Sequence, residues 1–167
     1  MRDVIAGIVA VALLVVAASL ATTLRLYQRR RRRTRDAERA RGRTIVAEIP
    51  TEDELVLFSA DDHAFYWGSR AIPKDSIVAV RVLINGTPLV AYESRRATAG
   101  NRAHVTSFDD RPEGIARDRW DVAIETMAHE AGDVILVACG AIRERVSQEL
   151  ARAVFETVKR DLELRDR

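Results

Sequence analysis

At 167 residues the chain has room for one globular domain with an appendage, not for two full domains. Its net charge of +2 is a partition: ten Arg against Asp36 and Glu38 make 25–43 +8, Arg2 and Asp3 cancel, and 44–167 is −6. An acidic folded part excludes a domain that neutralises nucleic-acid phosphates across a basic face, and the lone Cys139 excludes an intrachain disulfide, as suits a reducing cytoplasm.

The chain opens on an apolar run. Val4–Leu24 holds 21 residues without a charge. At ~1.5 Å per residue that is roughly 31 Å of helix, matching a ~30 Å hydrocarbon core. The expectation is therefore a transmembrane anchor over 1–24, making this a single-pass protein. Arg25 and Arg29–Arg33 follow at once, whereas only Arg2, offset by Asp3, precedes the run. The positive-inside rule then puts the N-terminus outside and the C-terminal domain in the cytoplasm. The excess of Arg over Lys, 25 to 2, is the compositional mark of a GC-rich bacterial genome, so the membrane is expected to be a bacterial inner membrane. A cleaved signal peptide competes, with small residues near Ala17–Ser19. Its apolar run would be too long, and its positive charge would lie on the wrong side.

Residues 25–43 form the basic juxtamembrane helix or linker. No Gly or Pro interrupts Leu24–Arg41, so helix is expected to continue to Gly42. Arg25, Arg29, Arg30, Arg31, Arg32, Arg33 and Arg35 are the candidate contact residues, for anionic phospholipid headgroups or an acidic partner. Five consecutive arginines sweep all around a helix, which suits a diffuse negative surface better than a shaped pocket. The bland alternative is a topology signal alone.

From Thr44 to Arg167 the pattern is of short strands. Ile45–Ile49, Leu55–Ser59 and His63–Trp67 come first, with Gly68 and Pro73 breaking the chain after them. Ile77–Ile84 is β-branched, Asn85-Gly86 signals a hairpin, and Leu89–Ser94 returns. Arg102–Phe108, Trp120–Met127 and Val134–Ala138 are further strands. The end changes period: Ile142, Val146, Leu150, Val154, Val158 and Leu162 recur every four residues among charged ones, with Ala151 and Phe155 widening the stripe, an amphipathic helix with one face to cover.

This order, about seven antiparallel strands in two groups closed by a C-terminal amphipathic helix, resembles the pleckstrin-homology superfold, in particular bacterial PH-like domains. The likeness covers about Glu54–Leu164. It rests on Ile72-Pro73-Lys74-Asp75-Ser76-Ile77-Val78-Ala79-Val80 and on Gly132–Gly140 followed by the helix. The fold class expected is thus a transmembrane helix plus a mainly β (α+β) PH-like domain. The resemblance implies a scaffold for protein or peptide. Phosphoinositide binding is not carried over, because the first turn reads Ser59-Ala60-Asp61-Asp62-His63, acidic where such members are basic.

Chemistry is sparse. His63, His104 and His129 are scattered, His129-Glu130 lacks a second His at metal-ligand spacing, and Cys139 lies in an apolar run. Asp61-Asp62 and Asp109-Asp110 are ordinary turn pairs unless the fold gathers them around a cation. Trp67 and Trp120 lie in strand-like runs and read as core. No catalytic, cofactor or metal residues are assigned and no cofactor is expected. The expectation is a non-enzymatic accessory or scaffolding subunit of a larger membrane complex, whether photosynthetic, respiratory, secretory or transport-related. Its partners would be integral membrane subunits and anionic lipids, not nucleic acid, with a homo-oligomer open. The rivals are an independent membrane-tethered adaptor for peptides or lipids, and a membrane-tethered enzyme.

Overall fold

The computed structural model describes residues 2–51, 55–95, 118–127 and 133–167, with side chains from residue 13 onward. The chain forms two compact units, Met1–Arg41 and Gly42–Arg167.

The first unit is helix α1, Arg2–Ala40. Many Ala, Leu and Arg residues favour it over its β-branched ones, and its hydroxyls serve the backbone: Thr22 Oγ1 donates to the Ala18 carbonyl at 2.8 Å and Thr23 Oγ1 to that of Ser19 at 3.0 Å. The expected transmembrane span is corrected here. Among the described residues no helix is long and apolar enough to cross a membrane. Among the described side chains, which begin at Leu13, any stretch of 18 residues along α1 takes in at least three arginines, the first such stretch holding Arg25, Arg29 and Arg30. The single-pass membrane description therefore falls with the span.

The second unit is a β sandwich. Strands β1 (Thr44–Pro50), β2 (Leu55–Ala60), β3 (Ala64–Trp67) and β4 (Arg70–Pro73) form one antiparallel sheet in that order. After a 3₁₀ turn, Lys74–Ser76, come β5 (Ile77–Ile84), β6 (Thr87–Glu93), β7 (Arg119–Thr126) and β8 (Asp133–Ala141). They form a second antiparallel sheet in the order β6-β5-β7-β8, so β7 pairs with β5 on the side opposite its hairpin partner. Helix α2, Arg145–Arg165, follows. Eight strands stand among the described residues where about seven were expected. The addition is β4, and the candidate strand Arg102–Phe108 lies outside the described residues.

The β5–β6 turn has the two positive φ angles that a tight hairpin needs, 52° at Asn85 and 78° at Gly86. Strand alternation then sorts side chains by face. Val80, Val82, Val122, Ile124, Ile135 and Val137 point into the sandwich, where they meet Ile49, Phe58, Phe65 and Ile72 of the first sheet. Phe58 and Phe65 stack at 5.7 Å between centroids. Helix α2 packs against β1, β5, β7 and β8 through Ala151, Val154, Phe155, Val158 and Leu162, all buried.

The buried stripe of α2 includes Ala151 and Phe155, as expected, and turns away from the every-fourth-residue row toward its N-terminal end. Val146 is 60% exposed and Leu150 only half-buried. A row of every fourth residue turns ~40° per step around a 3.6-residue helix, so a row centred on Val158 has left the core by Val146.

The long edge β6 is blunted near its turn. The β5–β6 register slips between Val82 and Leu83, leaving Leu89 as the extra residue, and Pro88 removes one donor. Both features disfavour pairing with another chain.

Candidate functional site

The collar is set by helix continuity. Because α1 runs unbroken through Arg25–Arg35, its arginines are held on a rigid rod, not on a flexible linker. Arg25, Arg29, Arg30, Arg31, Arg32 and Arg33 are exposed and Arg35 is half-buried. Arg41 pairs with Glu38 at 2.7 Å in the last turn. Six of the seven candidate contact residues are thus exposed along one element, in positions to meet negative charge.

Among the described residues of the sandwich, charged side chains are tied to structure at several places, including a turn, a sheet face and the C-terminal end. At the β2–β3 turn, Asp61 Oδ1 accepts the backbone N–H groups of His63 and Ala64, both at 2.8 Å, and Oδ2 accepts the Tyr66 hydroxyl at 2.7 Å. The Arg43 guanidinium lies 3.4 Å from the centre of the Tyr66 ring. The hydroxyl, then the two N–H groups, lower the Asp61 carboxyl to about 2, and the Tyr66 phenol is raised in turn. Asp61 is therefore occupied as a turn former. Asp109 and Asp110 lie outside the described residues, so the gathered cation site is not seen among the described residues, where no group of three or more potential ligands occurs.

The second arrangement is on the outer face of the β6-β5-β7-β8 sheet. Arg81 donates to Glu125 and, at 3.0 Å, to Glu93. Glu125 and Asp121 are buried, although alternation places both on the side away from the core. Desolvation raises the Glu125 carboxyl, with Arg81 opposing. Asp121 is held by Arg119 at 2.7 Å. The third closes the C-terminus: Asp166 accepts Ser94 Oγ at 2.7 Å, Tyr92 Oη at 3.1 Å and the Arg95 N–H at 3.2 Å.

The remaining singled-out residues are dispersed. His63 is exposed at the β2–β3 turn, and His104 and His129 lie outside the described residues. Cys139 is 1% exposed and burial pushes its thiol up to about 12, too high to supply thiolate near neutrality. Trp120 is buried in the core and Trp67 packs against it. The sequence reading missed the Arg81 cluster. Its one available signal was Asp121 and Glu125 alternating with core residues on a strand that lies inside a sheet.

No family model matches the chain, and no curated protein or solved structure matches it.

Proposed function

We propose that this chain is a non-enzymatic accessory or scaffolding protein, whose arginine collar meets an acidic surface of a larger assembly. The observation that carries the proposal is the exposure of Arg25 and Arg29–Arg33 on one continuous helix, next in sequence to a domain with its own core. The acidic surface is that of partner-protein loops or of phospholipid headgroups at the cytoplasmic face of a bacterial membrane. The sandwich-and-helix domain acts as the scaffold, in keeping with its resemblance in element order to bacterial PH-like domains.

Support comes from the division of labour among charges. In the domain Asp61 closes a turn, Asp166 pins the end of α2, and Arg81 and Glu125 neutralise one another. Arg25 and Arg29–Arg33 are exposed on α1. Exposed charges give long-range attraction that salt screens, with a Debye length of ~8 Å at physiological ionic strength.

The test is affinity purification of the tagged full chain with mass spectrometry, repeated with Arg29–Arg33 replaced by Gln. A partner or membrane fraction should co-purify at low salt and be lost from the Gln variant. An unchanged set of co-purifying material would overturn the collar's role.

A further inference from the structure

From the side chains on one flank of α2 we infer that this helix carries a second apolar seam, which receives an amphipathic helix of a partner protein with a basic border. This role presupposes that the domain is a scaffold, and it is independent of the collar.

Val146 and Leu150 belong to the row that has turned out of the core, yet both are apolar. They are not alone. At ~100° per residue, Val146, Leu150, Ala153, Thr157 and Leu164 fall within an arc of about 60°, centred roughly 120° from the middle of the buried stripe. The seam they make is ~27 Å long. Val146 and Leu164, at its ends, are each 60% exposed, and the three between are half-buried. The Thr157 hydroxyl is satisfied within the helix, donating to the Ala153 carbonyl at 2.7 Å.

Along the chain the seam alternates steps of four and three residues, with Arg160 holding the one charged place before Leu164. That is the period of helices that pair along their length, and one charged place in such a seam fixes register. Its width agrees, being narrower than the ~100° stripe that packs on a broad surface.

Charge selects the occupant. On the solvent side of the seam Glu149, Glu156 and Glu163 recur every seven residues and drift around the helix in step with it. On the other side Ser147 and Val154 are buried, so the Glu border is the one open to a partner. Arg145 reaches Glu149 at 3.1 Å and Lys159 reaches Glu163 at 3.7 Å. Pairs as exposed as these are weak, and the bases lie further from the seam than the carboxylates. A second copy fits poorly, because antiparallel α2 helices would set Glu against Glu. A helix with Lys or Arg along its border is the complement.

Fluorescence anisotropy of the full chain with a labelled synthetic helix tests this. The probe spans about three heptads, with Leu at the seam positions and Lys on both borders, and a control carries Glu for Lys. Like charges on both borders keep either peptide from pairing with itself. Wild type should bind the Lys peptide and not the Glu peptide at low salt. V146E/L164E, at the exposed seam ends, should weaken binding by at least about tenfold while the urea midpoint stays in place. E149Q/E156Q should weaken it about fivefold. Absent binding, or undiminished binding by V146E/L164E, would overturn the seam, and equal binding of the two peptides would overturn the basic partner. A wild-type dimer in sedimentation equilibrium that V146E/L164E makes monomeric would overturn it in favour of a second copy. Arg29–Arg33 are intact in each variant, so these outcomes are separate from what the Gln collar variant gains or loses.

Discussion

Gly140 and Ser147 are packed so closely that a methyl group on the glycine would stand 2.5 Å from the serine Oγ and 3.3 Å from its Cβ. Gly140 also has φ of 115°, a conformation that side chains rarely adopt. The contact joins β8 to the first turn of α2, where Ser147 is itself buried. Gly140→Ala should destabilise the domain by ~1–3 kcal/mol in urea unfolding through overpacking and backbone strain. Adding Ser147→Gly should recover part of the loss by removing the clash, while the strain at φ stays. Additive losses in the double variant would show that the two residues do not press on one another.

The rotated stripe of α2 makes an ordered prediction. Leu162→Ala, at a fully buried position, should cost ~2–5 kcal/mol through lost transfer energy and a cavity. Leu150→Ala should cost less, since Leu150 is half-buried at the flank. Glu149→Ala, which removes only an exposed pair with Arg145, should stay within ~0.5 kcal/mol. Equal costs for Leu150 and Leu162 would place the stripe back on the every-fourth-residue row.

Arg81 is the counter-ion of a carboxylate that is nearly out of water. Arg81→Met strands Glu125, and breaking a buried pair in this way costs ~3–5 kcal/mol. Glu93→Gln should cost far less, because Glu93 is half exposed. The folded state raises the Glu125 carboxyl above its ordinary 4.5, so folding favours the protonated form there. The stranded variant should consequently lose stability as pH rises from below 4.5 through the raised value, the reverse of ordinary acid denaturation. Stability of Arg81→Met that is flat across that window would argue against a buried Glu125 charge.

The lowered Asp61 carboxyl has the opposite sign. Its stabilising contribution is complete above the ordinary value of 3.8 and is lost as pH falls toward about 2. The stability difference between wild type and Asp61→Asn should therefore be constant above pH ~4 and shrink toward pH ~2. Carboxyl NMR should place the Asp61 midpoint near 2. A midpoint near 3.8 would mean that the Tyr66 hydroxyl does not hold it.

How far these features were legible in the sequence follows from the range over which each is determined. The β5–β6 hairpin was legible because Asn85-Gly86 fixes it within a few residues, and α2 because its period is local. β4 was missed since Gly68 and Pro73 read as breakers, yet a four-residue edge strand tolerates proline at its end. The span read from Val4–Leu24 is overturned, since among the described residues no helix is long and apolar enough to cross a membrane. Arg25 and Arg29–Arg33 were legible as exposed charge because an arginine run on a helix has no core to enter. The Arg81 cluster was illegible because its partners come from β6 and β7, 12 and 44 positions away.

The placement of β7 beside β5, across from the hairpin, also has a kinetic consequence. The β5–β6 pair closes over a two-residue turn and can form in microseconds. The central pair of the sheet, Ile84 with Trp120 through Ile77 with Thr126, must wait for a long stretch of chain to close first. Nothing in the core of this sheet is complete until it does, because Val80 and Val82 gain their neighbours Ile124 and Val122 only then. The time the domain takes to fold is thus set by the span from Arg95 to Asp118, and lengthening that connection should slow folding while leaving the rate of unfolding nearly unchanged.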